Sequence, residues 1–446
     1  MNILIIGAGE VGFHLAKKLI NNNHNITILE ENPEKAQRAE EQLDAMVVVG
    51  SGSSWQDLQR ANIEKADILA ALSNVDEVNL LACMYAHKID TPHKIARVRN
   101  PEFTRPDFIL SREEMGVDLL IHPERETADA IVRLIRQSSA TDVIEFAGGQ
   151  IQLLGIRLEQ NSPVLRQPLK EIWQHYNDLP ARIVAIKRKE HTIIPSGEDV
   201  LAPGDQVFII TDREAIPTIL KITGKENVRI QNIMILGGGL IGQFVATALE
   251  DEINIKIIES RADRSEHIAT LLKRSLIIHG DGTDMDLLAL EGIIDMDAFV
   301  AVTGDDETNI ISSLMARHLQ VPRTIALVNK TEYLPITPTI GMDAVVSKKL
   351  ITVDAILRFI QRTTFESVAT IPGVEAEIIE IIPHSNSRIV KKPLKKIHFP
   401  RSAIVGAVHR NNTVMIPRGD TQIQPGDRVV IFALPSAISA VEQLFE

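Results

Sequence analysis

Apolar and polar positions alternate between two rhythms along the first part of the chain. Asn2 to Ile6 is a short apolar run of strand type, a glycine-rich turn follows, and Val11, Leu15, Leu19 and Ile20 then recur at helical spacing. Asn25 to Glu30 returns to a β-branched strand. Asn32-Pro33-Glu34 then supplies an N-cap, a first-turn proline and an acidic first turn for the next helix. Further strands are expected at Ala45 to Val49, Asp67 to Leu72, Lys94 to Val98 and Val117 to Ile121. Strands alternating with helices predict an α/β fold with a parallel, doubly wound sheet. From about Asp142 the rhythm changes. Short runs at Leu153 to Leu158, Arg182 to Ile186 and Val207 to Ile210, separated by turns such as Pro203-Gly204-Asp205, predict a smaller α+β module. A helical stretch from Glu124 to Gln137 bridges the two.

The whole pattern then recurs. Gly7-Ala8-Gly9-Glu10-Val11-Gly12 is echoed by Gly237-Gly238-Gly239-Leu240-Ile241-Gly242 at an offset of 230. Gly50 and Gly52 match Gly280 and Gly282, Asp76-Glu77 matches Asp306-Glu307, and Asn79 matches Asn309. Glu30 matches Glu259 with one residue of slippage. The offset later falls to 225 at Gly116-Val117-Asp118 and Gly341-Met342-Asp343, and to 222 at the two Pro-Gly-Asp turns. One such glycine loop is weak evidence; two with the same neighbours over the whole chain are strong. The expected architecture is two tandem halves meeting near 224–232, each a Rossmann-like doubly wound parallel-sheet domain followed by a small α+β domain. The expected boundaries are 1–122, 141–223, 231–348 and 368–446, with Ile351 to Gln361 as the second bridging helix.

The loop chemistry points to a nucleotide. Gly7 permits the tight strand-to-helix turn, Gly9 lets the backbone approach a pyrophosphate, and Gly12 allows the helix to pack closely on the sheet. The helix N-terminus then holds the phosphates. Glu30, about 20 residues on, stands at the end of the second strand, where its carboxylate accepts hydrogen bonds from ribose hydroxyls. It would repel a 2′-phosphate, which favours NAD over NADP. Gly50-Ser51-Gly52 and Ser73-Asn74 close the third and fourth strands, where they either line a ligand or serve as ordinary turns. Arg97, ending the fifth strand, is placed to reach a ligand phosphate or ribose, or to form an exposed salt bridge. Asp76-Glu77 reads as an N-cap pair. In the second half Arg261 blurs the discrimination at Glu259. Asp281 stands for Ser51 and Leu327 for Arg97, an added anion and a lost cation, so a polyphosphate such as ATP should favour the first half.

Composition narrows the function. With 47 Lys+Arg, 59 Asp+Glu and a net charge of −12, the chain repels a nucleic-acid backbone, and 4% aromatic residues offer little for base stacking. No signal peptide or transmembrane run is recognisable, and a single cysteine suits a reducing, cytoplasmic location. Cys83, in Leu80-Leu81-Ala82-Cys83-Met84, reads as a buried structural thiol. The thirteen histidines show no metal-ligand spacing. The duplication leaves no residues over for a catalytic domain, and the expectation is a binding protein rather than an enzyme. An NAD-dependent oxidoreductase with unrecognised catalytic groups, and a soluble nucleotide sensor with no membrane partner, stay open as alternatives.

These residues resemble the tandem RCK proteins, regulators of potassium conductance, and in particular their Trk-type potassium-uptake branch. The resemblance rests on Gly7 to Gly12 with Glu30, Asp76-Glu77-Val78-Asn79, Ile95-Ala96-Arg97-Val98-Arg99, and the same ground from Gly237 to Asn309. It implies RCK N-terminal and C-terminal lobes, each present twice. It also implies binding of NAD(H), with ATP and ADP as further adenine nucleotides. The partner it implies is an integral membrane potassium-translocating subunit, with the chain as a cytoplasmic, peripherally associated regulator in a homo-oligomeric ring, a dimer of dimers. By the family pattern Gly7 to Val11, Glu30, Ser73, Asn74 and Arg97 would line the first site. Gly237 to Ile241, Glu259, Asp281 and Thr303 would line the second.

Overall fold

The computed structural model describes residues 1–446 apart from 22–23, 106, 177–178, 190, 226–229, 338–339, 361–366, 372–373, 375, 412 and 446, and apart from the side chains of 367–370. Parts of the expected junction at 224–232, the expected helix end at Gln361 and some residues of the last expected domain therefore lie outside the described residues. The chain divides into two units, Met1–Thr127 with Lys348–Ile360, and Ala128–Ser347 with Gln361–Glu446.

In the first unit, β1 (Asn2–Ile6), β2 (Asn25–Glu30), β3 (Met46–Val49), β4 (Ile68–Ala71), β5 (His93–Arg97) and β6 (Leu119–Ile121) form a parallel sheet of order β3-β2-β1-β4-β5-β6. Helices α1 (Glu10–Asn21), α2 (Pro33–Gln42), α3 (Trp55–Arg60) and α4 (Asp76–Lys88) make the crossovers, and α5 (Pro123–Arg136) follows β6. The strand order reverses between β1 and β4, the switch point where open α/β sheets leave a crevice at their carboxyl edge. Ile3 and Ile5 of β1 pack with Leu15, Ala16 and Leu19 of α1 on one face. Leu4 and Ile6 pack with Leu58, Ala82, Cys83 and Ala86 on the other. Both faces are covered, which is why these strands read as unbroken apolar runs. Asn32 caps α2 as expected, its side chain accepting from Lys35 N at 3.0 Å. The helix Lys348–Ile360 contributes more than a bridge. Its Val353, Ile356, Leu357 and Ile360 join the core under α1, so a second-half helix completes the first sheet's cover.

The second unit holds the first small sheet, of β7 (Asp142–Phe146), β8 (Ile151–Arg157), β9 (Ala181–Arg188), β10 (His191–Ile193) and β11 (Gln206–Asp212), in the order β10-β9-β11-β8-β7. Its helices are α6 (Leu169–His175) and α7 (Ile216–Ile222). A second parallel sheet follows: β12 (Asn232–Leu236), β13 (Asn254–Glu259), β14 (Leu276–His279), β15 (Ala298–Ala301), β16 (Arg323–Leu327) and β17 (Ala344–Val346), ordered β14-β13-β12-β15-β16-β17. Its helices are α8 (Leu240–Leu249), α9 (Ala262–Leu271), α10 (Met285–Leu290) and α11 (Asp306–His318); Lys348–Ile360 is α12. The last sheet comprises β18 (Ser367–Thr370), β19 (Glu377–Ile381), β20 (Ala403–Arg410), β21 (Thr413–Met415) and β22 (Arg428–Ala433), ordered β18-β19-β22-β20-β21, and α13 (Ile438–Phe445) closes the chain.

The two small sheets share one core, in which Val184, Phe208 and Ile210 meet Ala407, Val430 and Phe432. The repeated Pro-Gly-Asp turns prove to be clamps. Asp205 accepts from Arg188 Nε and Nη2 at 2.9 and 2.7 Å, and Asp427 accepts from Arg410 Nε and Nη2 at 2.7 and 2.6 Å. Strands β7 and β10 escape the sequence reading because one carries two acids in five residues and the other is three residues long. Among the described residues no helix is long and apolar enough to cross a membrane.

Candidate functional site

A cleft of about 460 Å³ opens at the carboxyl edge of the first sheet, at the β1/β4 switch point. Gly7, Gly9, Glu30, Ser73 and Asn74 line it, together with Asn32, Lys35, Gly50, Gly52 and Val78. Gly7 has φ +98°, in the left-handed region that favours glycine, and a Cβ there would lie 3.1 Å from the Ser73 backbone. A Cβ at Gly12 would lie 1.9 Å from Gly7 O, so the first turn of α1 reaches the strand end only without a side chain. Gly9 has no atom within 4 Å of its Cβ position, and that open side belongs to the cleft.

Glu30 is buried and holds the loop itself. Its Oε2 accepts from Ala8 N at 2.5 Å and its Oε1 from Asn32 N at 2.8 Å. Both oxygens retain lone pairs for a ribose hydroxyl. Across the cleft Asn79, fully buried, accepts from Ser73 N at 2.9 Å and donates to Ser73 O and Arg97 O at 3.0 and 2.8 Å. It ties the ends of β4 and β5 into one ledge. The Arg97 guanidinium donates to Asn74 Oδ1 at 2.8 Å, and burial holds it below the usual arginine range. Two expected site residues are thus in contact, and the exposed salt bridge is not formed. Arg97 and Ser51 do not line the cleft; the Ser51 hydroxyl lies 3.0 Å from Ser53 Oγ.

Asp76 departs from the expected N-cap role. Its carboxylate accepts from Arg99 N at 2.9 Å and Asn100 N at 2.8 Å, anchoring the segment after β5, while the cap residue of α4 is Val75, with no side-chain bond. Competition between two sets of nearby N–H donors decides this, and sequence spacing does not resolve it. The second half repeats the anchor with Asp306 on Asn329 N and Lys330 N, and there Asp305 is the cap.

Charge enters the first site from α12. Lys349, with a side chain only 5% exposed, donates to Glu10 Oε2 at 2.9 Å, and this bond holds the Glu10 carboxyl below the usual range. Glu10 opens α1, beside the loop's phosphate-facing N–H groups, where an unneutralised carboxylate would repel a phosphate. Lys348 pairs with Glu124 at 3.2 Å. Burial alone would raise the Glu124 carboxyl, yet His122 and Lys348 bring it down to about 2. Cys83 is fully buried as expected, its thiol pushed up to about 12 by burial.

The second loop repeats the backbone with other side chains. Gly237 has φ +107°, Glu259 Oε2 accepts from Gly238 N at 3.0 Å, and Thr303 N donates to Asn309 Oδ1 at 2.9 Å. Asn309 also donates to Leu327 O at 2.9 Å, so this position contributes its backbone whether it carries arginine or leucine. Asp281 accepts from the N–H and hydroxyl of Thr283, which hold its carboxyl below the usual range. Arg264, the counterpart of Lys35, closes on Glu259 Oε2 at 3.2 Å, whereas Arg261 turns to Asp263. Lys35, Arg264 and Lys349 are absent from the sequence-derived site. The paired basic residues five positions after each acid were the available signal for the first two; nothing local marks Lys349.

The TrkA-N domain family matches residues 3–123 and 233–348, and the TrkA-C domain family matches 153–224 and 378–446. The chain is 37% identical to the Trk system potassium uptake protein TrkA of Azorhizobium caulinodans, over all of this chain and 98% of that protein. It is also 37% identical to homolog 2 of the same protein in Methanosarcina mazei, over the full length of both. The solved GsuK RCK domain superposes with a TM-score of 0.63 at 19% identity, covering 100% of this chain and 94% of that one. The GsuK channel bound to NAD gives the same TM-score and identity, with 78% of its chain covered. These two share the fold.

Proposed function

Because the chain belongs to the family of Trk system potassium uptake proteins built from TrkA-N and TrkA-C domains, we propose that it is a nucleotide-sensing regulator of potassium uptake, acting on a separate membrane subunit that translocates the ion. The observation that carries this reading is the first-half cleft, a glycine loop held over the Glu30 carboxylate and open at Gly9. NAD(H) is the leading ligand. Glu30 would take the ribose hydroxyls, the loop N–H groups and the start of α1 the pyrophosphate, and Ser73 and Asn74 the opposite wall. ATP and ADP share the adenosine and phosphate chemistry that this cleft reads, and Lys349 on Glu10 removes the charge that would oppose them. The second loop, from Gly237 to Gly242 with Glu259, Asp281 and Thr303, would be the weaker site for polyphosphates. A GsuK structure bound to ADP, and one bound to NAD, add support for nucleotide binding on this fold.

Regulation follows from differential binding. A nucleotide that prefers one arrangement of the lobes shifts the equilibrium by its affinity difference, on the order of 1–3 kcal/mol in allosteric proteins, and the membrane subunit feels that shift. A homo-oligomeric ring, a dimer of dimers at the inner membrane face, would pass it on. The test is potassium flux in reconstituted vesicles with Glu30→Ala and a Gly9 substitution. Both should abolish nucleotide control while the chain still assembles with the membrane subunit. Unchanged control in both variants would refute the site.

A further inference from the structure

A second cleft, of about 510 Å³, lies within the second unit, at the opposite edge of the second parallel sheet from its glycine loop. The amino end of β16, the end of α11 and the loop before β17 form one side, and the segments around β7 and β8 of the first small module form the other. Four cationic side chains from four separate parts of the chain border it: Arg157 ending β8, Lys225 after α7, Arg317 in the last turn of α11 and Arg323 opening β16. Ser138 and Ser139 add hydroxyls to the rim.

The acids on the rim are already engaged. Glu159 pairs with Lys225. Asp297 Oδ2 accepts from Gln231 N and Asn232 N at 2.8 and 2.9 Å. Asp343 Oδ2 accepts from Thr324 N and Oγ1, both at 2.9 Å, with Arg317 Nη1 3.6 Å from its other oxygen. Arg323 is in a different position. It is 7% exposed, donates from Nη2 to Ala140 O, and has no partner at Nε. A guanidinium shut away from water needs anionic charge to offset its lost hydration; Ala140 O and the charges of Asp343 and Asp142 supply part of it, without a hydrogen bond to Nε. Burial pushes Arg323 down to about 10 and lowers Arg157 as well, against the opposing charges of Asp343 and Asp142, with Arg317 adding to the lowering at Arg157. The three arginines belong to this place alone in the repeat: their counterparts in the other half are His87 for Arg317, His93 for Arg323 and Ile382 for Arg157.

We propose that this cleft binds a small phosphate-bearing anion that ties the first small module to the amino edge of the second parallel sheet. Guanidinium groups arriving from separate segments suit a tetrahedral oxyanion with oxygens in several directions better than a single planar carboxylate. The volume falls in the range of small-molecule sites, about 300–1,000 Å³, and leaves room for a substituent beyond the phosphate. A bound anion would draw Arg157 of the first small module and Arg317 and Arg323 of the second sheet onto one group. The inference does not depend on the glycine loops.

The test is calorimetric titration of the full chain with inorganic pyrophosphate, and in parallel with malonate. Gly9→Glu, which blocks the first loop, should remove binding there and leave pyrophosphate binding at this cleft, and the arginine variants are made in that background. Arg157→Gln and Arg317→Gln, on the more exposed side of the cleft, should each weaken it about ten-fold or more. Arg323→Gln is the sharper variant where it folds. Absence of pyrophosphate binding in Gly9→Glu, undiminished binding in Arg157→Gln and Arg317→Gln, or malonate binding as tightly as pyrophosphate would each overturn the proposal.

Discussion

At the first glycine loop Glu30 holds two backbone N–H groups; at the second, Glu259 holds the matching pair, Gly238 N and Arg261 N, and also Arg264 Nη1 at 3.2 Å. The backbones are alike, yet one acid faces an open cleft while the other is ion-paired. A ribose hydroxyl approaching Glu259 must compete with a charge-assisted bond, roughly twice as strong as a neutral one. The difference in ligand preference expected from Asp281 and Leu327 therefore has a third source, and a more direct one. Charge around the first loop also differs, since Glu10, paired with Lys349, is Leu240 in the second.

The strongest way to break the comparison is to test the part said to be shared. Gly12→Ala and Gly242→Ala place a Cβ 1.9 and 2.2 Å from the carbonyl oxygens of Gly7 and Gly237. Each should cost about 3 kcal/mol and lower the melting midpoint. If only one of the two is damaging, the loops are not equivalent. A smaller effect separates the acids. Arg264→Ala should tighten ADP binding at the second loop by about ten-fold, read as the dissociation constant of the weaker site in a calorimetric titration. An unchanged isotherm would show that the ion pair does not restrain Glu259.

The smallest effect is a pH dependence confined to the first half. Burial, and the charge of Lys349, push His14 down to about 4 from 6.5, and its counterpart in the second half is Phe244. The folded pKa is depressed, so between pH 6.5 and 4 the unfolded chain takes up a proton that the native site refuses. Stability from this group is present above pH 6.5 and falls as the pH drops through that window. In thermal melts His14→Phe should flatten the decline between pH 6.5 and 4; a slope equal to that of wild type would assign it to other groups.

Much of the site was readable because its logic is local. Strand, glycine spacing and an acid about 20 residues on point to a crevice at the carboxyl edge of the sheet, and Gly7, Gly9, Glu30, Ser73 and Asn74 do line one cleft there. Asn79 and Asn309 were visible as repeated residues, but their bridging role required knowing that the ends of β4 and β5, and of β15 and β16, lie side by side. Spacing gives Asp76 to its own helix, whereas it serves the neighbouring strand end. Lys349 reaches Glu10 across 339 residues, a separation no periodicity encodes.

Sequence alone determined the duplication, the strand–helix alternation of the parallel sheets and the two loop-and-acid pairs. Each of these follows from side-chain periodicity and glycine geometry, which act over a few residues and survive translation along the chain. Tertiary structure decided which acid is ion-paired, which helix completes the first core, and where arginines from separate segments converge. Those outcomes depend on burial and charge pairing through space, where residues far apart in the chain become neighbours and two copies of one pattern acquire different surroundings.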